Sequence, residues 1–288
     1  MTKKGNAFLM GCALLAMLMG ISGIVYLHVQ EEMPIATLVR THSHHHLERR
    51  LATNASGIED PDQKLLTPVQ IAARDGCSVC LKALLSAGAR PDQPVHPRHR
   101  HGYLPLHLAV INGNPEAVHL LASAGAAINA TDAYDCTPLF YAIRFRHEGL
   151  VEHLLQLGAT PHHRSACGWQ PLHWAALLGA NTAVPLLVRA GADVNDQILA
   201  RFSMEKFVPP RGKQVGVLTI FCWPDKDLQK PPASFPVDLF NWGDSPDQRL
   251  PAELAEQETP RLSGPVALSR LLAKDTVTAY LQSHGGRD

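Results

Sequence analysis

The feature that most constrains this chain is a short phrase repeated four times at nearly constant spacing. Thr67-Pro68-Val69-Gln70-Ile71-Ala72-Ala73, Leu104-Pro105-Leu106-His107-Leu108-Ala109-Val110, Thr137-Pro138-Leu139-Phe140-Tyr141-Ala142-Ile143 and Gln170-Pro171-Leu172-His173-Trp174-Ala175-Ala176 begin 37, 33 and 33 residues apart. A Gly-Ala pair closes each unit at Gly88, Gly125, Gly158 and Gly191, always 20 residues past the proline. A period of this length sets the architecture, because one such unit cannot bury its apolar face alone and must stack on a neighbour.

Each unit reads as two helices. The proline fixes φ and lacks an N–H, which suits the first turn of helix one. The recurrent Ala72, Ala109, Ala142 and Ala175 let a second helix approach closely. Apolar residues at i, i+3 and i+4 give helix two one buried stripe: Leu81, Leu84, Leu85; Val118, Leu121, Ala122; Val151, Leu154, Leu155; Val184, Leu187, Val188. These residues resemble the ankyrin-repeat family, whose unit starts T-P-L-H-x-A. The resemblance covers residues 63–195 and is strongest in repeat four, with PLHWAA and Gly191-Ala192-Asp193-Val194-Asn195. Departures are Leu104 and Gln170 for Thr, Gln70 and Phe140 for His, and Arg146 where helix one usually ends in Gly. These are expected to weaken caps by roughly 1 kcal/mol each.

Pro265 and Gly285 are again 20 apart, so residues 264–288 read as a degenerate capping repeat. The intervening residues 196–263 form a proline-rich insertion, and Gln214 to Trp223 has the β-branched and aromatic composition of a strand in a short hairpin. Residues 30–62 read as a polar, histidine-containing tether. Within residues 1–29, Ala7 to Leu27 carry no charge and are long enough to span a bilayer. Lys3 and Lys4 precede this run, so the positive-inside bias places the N-terminus in the cytoplasm and the repeats on the far side, periplasmic in a bacterium. A cleaved signal peptide is the competing reading, and Leu9-Met10-Gly11-Cys12 also resembles a lipobox. The expected fold is therefore an all-α ankyrin-repeat solenoid with an N-terminal transmembrane helix and a proline-rich insertion in which a short β-hairpin is expected.

Lys plus Arg number 26 and Asp plus Glu 26, so the chain lacks the electrostatic footprint of a nucleic-acid binder. No nucleophile elbow, Walker loop, HExxH or Rossmann glycine pattern occurs, which reads as non-catalytic, with no cofactor and no small-molecule substrate. Cys77-Ser78-Val79-Cys80 has redox or metal spacing, but at the start of helix two it reads as small apolar core. Cys136 and Cys167 lie in adjacent turns where a disulfide is conceivable. Asn54-Ala55-Ser56 and Asn129-Ala130-Thr131 match the glycosylation triplet, a pattern frequent by chance. The 16 histidines fall into three sets. His107 and His173 read as structural; His96, His99, His101, His162 and His163 lie in turns and are the weak candidate metal ligands; His42 to His46 form a histidine tract in the tether.

The family resemblance implies a protein partner docked through side chains that packing does not need. Those positions are unusually apolar: Tyr103, Ile111, Phe145, Trp169, Leu177 and Leu178, with Asn112 and with Arg74 and Arg144 as a basic rim. The expected function is a membrane-tethered interaction module. The alternatives are a histidine-rich metal-binding envelope protein and an inhibitor or immunity-type protein that blocks one enzyme.

Overall fold

One hydrogen bond marks the repeating unit as faithfully as its leading proline does. The N–H nine positions past a leading proline donates to the carbonyl four positions past it, at 2.9 to 3.1 Å: Ser43 to Leu38, Cys77 to Ala72, Asn114 to Ala109, His147 to Ala142, Ala180 to Ala175 and Lys274 to Ser269. The structure, a computed structural model, describes residues 33–94, 102–166, 168–207, 215–223, 233–237, 261–271 and 274–287. Within them the units begin at Pro34, Pro68, Pro105, Pro138, Pro171 and Pro265. The position eight past the proline turns the chain with positive φ at His42, Gly76, Gly113, Arg146 and Gly179. The chain divides into two compact units, Met1–Ala126 and Ala127–Asp288, each built around its own stacked helix pairs.

The first unit holds α1 (Ile35–Arg40), α2 (His44–Thr53), α3 (Pro68–Asp75), α4 (Ser78–Ser86), α5 (Pro105–Asn112) and α6 (Pro115–Ser123). First helices pack in one row, α1 on α3 and α3 on α5, and second helices in another, α2 on α4 and α4 on α6. The tether expected over residues 30–62 is thereby corrected, since Ile35 to Thr53 form a helix pair. α1 buries Ile35, Ala36, Leu38 and Val39 against α3, whereas α2 buries Leu47 alone. A terminal unit needs a polar outer face, and in sequence such a face imitates a tether. Two polar contacts fix this pair to the next. Arg40 is ion-paired with Asp62, and the Arg90 N–H donates to Glu59 Oε1 at 2.7 Å.

The second unit holds α7 (Pro138–Arg144), α8 (Glu148–Gln156), α9 (Pro171–Leu178), α10 (Ala183–Arg189), a sheet, α11 (Pro265–Leu271) and α12 (Asp275–Ser283). Here α9 packs between α7 and α11, and α10 packs on α8. Asn129 and Asn195, four residues past their closing glycines, each link to the following unit. Asn129 Nδ2 donates to the Gly158 carbonyl at 3.0 Å while its Oδ1 accepts from Thr160 N at 2.8 Å. Asn195 makes the same pair with Gly285 and Arg287. Glu59 stands nine residues before Pro68, as Asn129 stands nine before Pro138, and it takes over the acceptor half of this link.

The all-α expectation holds for the repeats and is corrected for the insertion. Its strands are β1 (Ile198–Phe207), β2 (Val215–Trp223), β3 (Ala233–Val237) and β4 (Arg261–Ser263), in the order β3-β2-β1-β4 and antiparallel throughout. The expected strand is β2, and it pairs with β1 so that Phe202 faces Ile220. A larger sheet forms because β4 comes back along β1, with Ile198 opposite Ser263. The insertion therefore leaves and re-enters at one place, which is why α11 still stacks on α9. Among the described residues no helix is long and apolar enough to cross a membrane, and the span expected at residues 7–27 lies outside them.

Candidate functional site

Packing uses the start of every first helix, and the histidines there show how. In repeat four His173 is buried, its Nδ1 accepts from Gln170 N at 3.1 Å, and its Nε2 donates to the Asp196 carbonyl at 3.1 Å. Those two bonds define a neutral ring. Burial pushes its pKa down to about 4, although the neighbouring Asp196 carboxylate pulls the other way. Gln70 was expected to weaken its cap; instead it copies the histidine. Its Oε1 accepts from Thr67 N at 2.9 Å and its Nε2 donates to the Gln93 carbonyl at 2.7 Å, the same 23 residues onward. His107 likewise accepts from Leu104 N through Nδ1 at 3.3 Å. In repeat three Phe140 leaves this role empty, and Asp132 orders the preceding turn instead. Its carboxylate accepts from Tyr134 N, Cys136 N and the Tyr141 hydroxyl.

The expected docking residues separate by burial. Trp169, Leu177 and Leu178 are 2%, 1% and 9% exposed, which corrects their place in a solvent-facing patch. The cause is that α9 lies between two other first helices, and Trp169 sits against Trp174 and His173. Tyr103 and Ile111 are half-buried and Asn112 is exposed, in the first unit. Tyr103 stacks on His107, and Asn112 Nδ2 donates to the Arg74 carbonyl at 2.9 Å. Arg74 itself grips Asp75 at 2.7 Å, and that bond holds the Asp75 carboxyl below its usual range. Its charge is thus largely spent on a neighbour. In the second unit Phe145 is half-buried and stacks between Tyr141 and His147, with the Arg144 guanidinium 5.9 Å from its ring centre. This cation over an aromatic face, at the end of a first helix, has the composition of an interface anchor.

Of the five weak metal candidates, His162 and His163 are among the described residues. His96, His99 and His101 lie outside the described residues, His162 is exposed, and His163 Nε2 donates to the Asp135 carbonyl at 3.0 Å. Cys136 is buried, and burial together with the Asp132 carboxylate pushes its thiol strongly up; Cys167 lies outside the described residues. The donors that do meet were assigned elsewhere by the sequence. Cys77 and Cys80 are buried as expected but are joined in a disulfide, and histidines of the former tether face them. The nearest of these groups in sequence, His44 and Cys77, are 33 positions apart; only the fold of α1 and α2 as a repeat brings them together.

This chain belongs to the ankyrin-repeat family. The family described as ankyrin repeats (3 copies) matches residues 35–132, 71–165 and 128–198, so its first match begins in α1. The chain is 33% identical over 146 residues to the B-cell lymphoma 3 protein homolog of Mus musculus, covering 50% of this chain and 33% of that protein. It is 32% identical over 129 residues to SH3 and multiple ankyrin repeat domains protein 2 of Homo sapiens, covering 44% and 7%. It is 30% identical over 146 residues to ankyrin repeat and SOCS box protein 3 of Bos taurus, covering 50% and 28%. The chain thus spans a third or less of these relatives. Ankyrin repeats are generally protein-interaction modules, and this chain carries such a module.

Proposed function

We propose that the chain is a membrane-tethered, non-catalytic module that docks one protein partner through the solvent-reaching ends of its first helices. The observation that carries this reading is the Arg144–Phe145 stack, an aromatic face and a cation held at the end of α7. Tyr103, Ile111 and Asn112 occupy the related positions of α5 and its approach. Residues 7–27 supply the tether, with the N-terminus cytoplasmic and the repeats on the far side.

A photo-crosslinking residue placed at Phe145 or Tyr103 in membranes should give a discrete protein adduct. The same residue at Glu152, exposed on the second helix of repeat three, should give none. Equal labelling from all three positions overturns the docking reading. The tether is tested separately by alkaline extraction, since a spanning segment keeps the protein in the membrane pellet. A protease added to intact cells after the outer barrier is opened should then reach the repeats.

A further inference from the structure

The turn after α1 carries His42, α2 opens with His44, and the start of α4 carries Cys77 at the N-cap and Cys80 one turn on. His44 Nδ1 stands 3.3 Å from Cys80 Sγ and 3.7 Å from Cys77 Sγ. A ring nitrogen of His42 lies within 4.8 Å of both sulfurs. A tetrahedral ion with Zn–S of about 2.3 Å and Zn–N of about 2.0 Å sets its nitrogen and sulfur donors roughly 3.5 Å apart. The His44 distances already have that value. His42 is exposed, sits in a turn and is free of the core packing that holds α1, so its ring can complete the set by a side-chain rotation.

We propose that Cys77, Cys80, His42 and His44 form a thiolate–imidazole site for a divalent, thiophilic cation of the Zn²⁺ class. The site is open in the dithiol state and closed by the disulfide.

Charge and placement support it. Both sulfurs are buried, 7% and 0% exposed, where two uncompensated thiolates are costly. Two thiolates neutralise a divalent ion, so the filled site carries no net charge into the interior. The sulfurs also lie in the first turn of the nine-residue helix α4, where the exposed N–H groups favour thiolate. The Cys80 N–H already donates to Cys77 Sγ at 3.2 Å. Opening the site needs a two-electron reductant; a dithiol passes two electrons and two protons to the disulfide, cleaves the S–S bond and becomes a disulfide itself, and a phosphine does the same with water and becomes its oxide. The two thiols then release their protons to solvent as the cation binds. A filled site staples the terminal helix pair to the next repeat, a contact otherwise made by apolar packing, Arg40 with Asp62, and Glu59 with Arg90.

The full chain in mild detergent, reduced with a phosphine that does not itself bind the metal, is titrated with Co²⁺. One equivalent should produce the thiolate-to-cobalt charge-transfer band and the intense visible bands of a tetrahedral site, and Zn²⁺ should erase both. Cys80→Ser should abolish the charge-transfer band. His44→Ala, on a half-buried ring outside the core, should weaken binding about tenfold or more while the helical circular-dichroism signal persists. Oxidation of the wild type with diamide should remove the spectrum, and re-reduction should restore it. A reduced wild type without the tetrahedral spectrum overturns the proposal. So does a spectrum unchanged in Cys80→Ser, which would place the metal on other histidines.

Discussion

Asn195 Nδ2 donates to the Gly285 carbonyl at 3.1 Å, joining positions 90 residues apart in sequence. The returning bond, Arg287 N to Asn195 Oδ1 at 2.8 Å, makes the link reciprocal. The pair shows that α11 and α12 are a true repeat, since Asn129 makes the same two bonds across an uninterrupted junction. Asn195→Ala should therefore loosen the C-terminal pair selectively. The expected cost is about 1–2 kcal/mol in urea denaturation, with faster amide exchange at Arg287 and along α12. An exchange pattern unchanged there would show that apolar packing of α11 on α9 holds the cap alone.

Gly179 and Arg146 occupy the same position in consecutive repeats, at φ 64° and 58°. At Gly179 a Cβ would meet Lys274 Cδ at 2.6 Å, so Gly179→Ala combines backbone strain with a clash and should cost about 1–2 kcal/mol. Adding Lys274→Ala should recover the steric part and leave the backbone part. Arg146→Gly relieves strain but loses the bond from its guanidinium to the Leu178 carbonyl at 3.2 Å. Its net change should stay within about 1 kcal/mol. Thermal unfolding of the three variants separates these contributions.

The inner repeats were legible because proline and glycine stand at fixed offsets, and each offset answers to a backbone requirement that few other residues meet. Pro265 and Gly285 exposed the last unit for the same reason. The first unit was hidden because its small residue is Leu38, its turn residue is His42, and no glycine follows Pro34 by 20. The second helix of this pair also wears polar residues where an inner helix shows an apolar stripe, a composition that in sequence imitates a tether. The metal-donor cluster was invisible for a related reason. Its two halves lie in adjacent units, and sequence periodicity does not report which turn faces which helix start. The burial of Trp169 is not legible in the sequence because the motif tells which positions face the row of first helices, but not that α11 extends that row beyond α9.

Burial separates the docking reading from stability at two aromatic positions. Trp169→Ala removes a ring that is 2% exposed and packed on Trp174, so the expected loss is about 3–5 kcal/mol of folding free energy. Phe145→Ala removes a half-buried ring at a helix end and should cost about 1 kcal/mol or less. If the interaction reading holds, Phe145→Ala impairs partner binding without shifting the unfolding midpoint much. The opposite ranking of midpoints would mean that the two rings exchange roles.

The buried His173 makes the second unit acid-sensitive in a defined window. Its ring is neutral in the fold, with burial lowering its pKa to about 4, whereas in the unfolded chain it titrates near the ordinary value of 6.5. Above that value both states are neutral and the full stability is present. As the pH falls from 6.5 toward 4, the unfolded chain takes up a proton that the folded chain refuses, so stability declines with falling pH. Below the folded value the loss levels off, at about 3 kcal/mol. Gln70 supplies the control that the fold has already built. It makes both hydrogen bonds of the histidine with a side chain that does not titrate. His173→Gln should therefore keep most of the stability at neutral pH and flatten the decline in this window, leaving only what the carboxylates contribute. Urea midpoints for wild type and variant across the window provide the measurement. Parallel curves would mean that Asp196 compensates the protonated ring and that His173 does not carry the acid response.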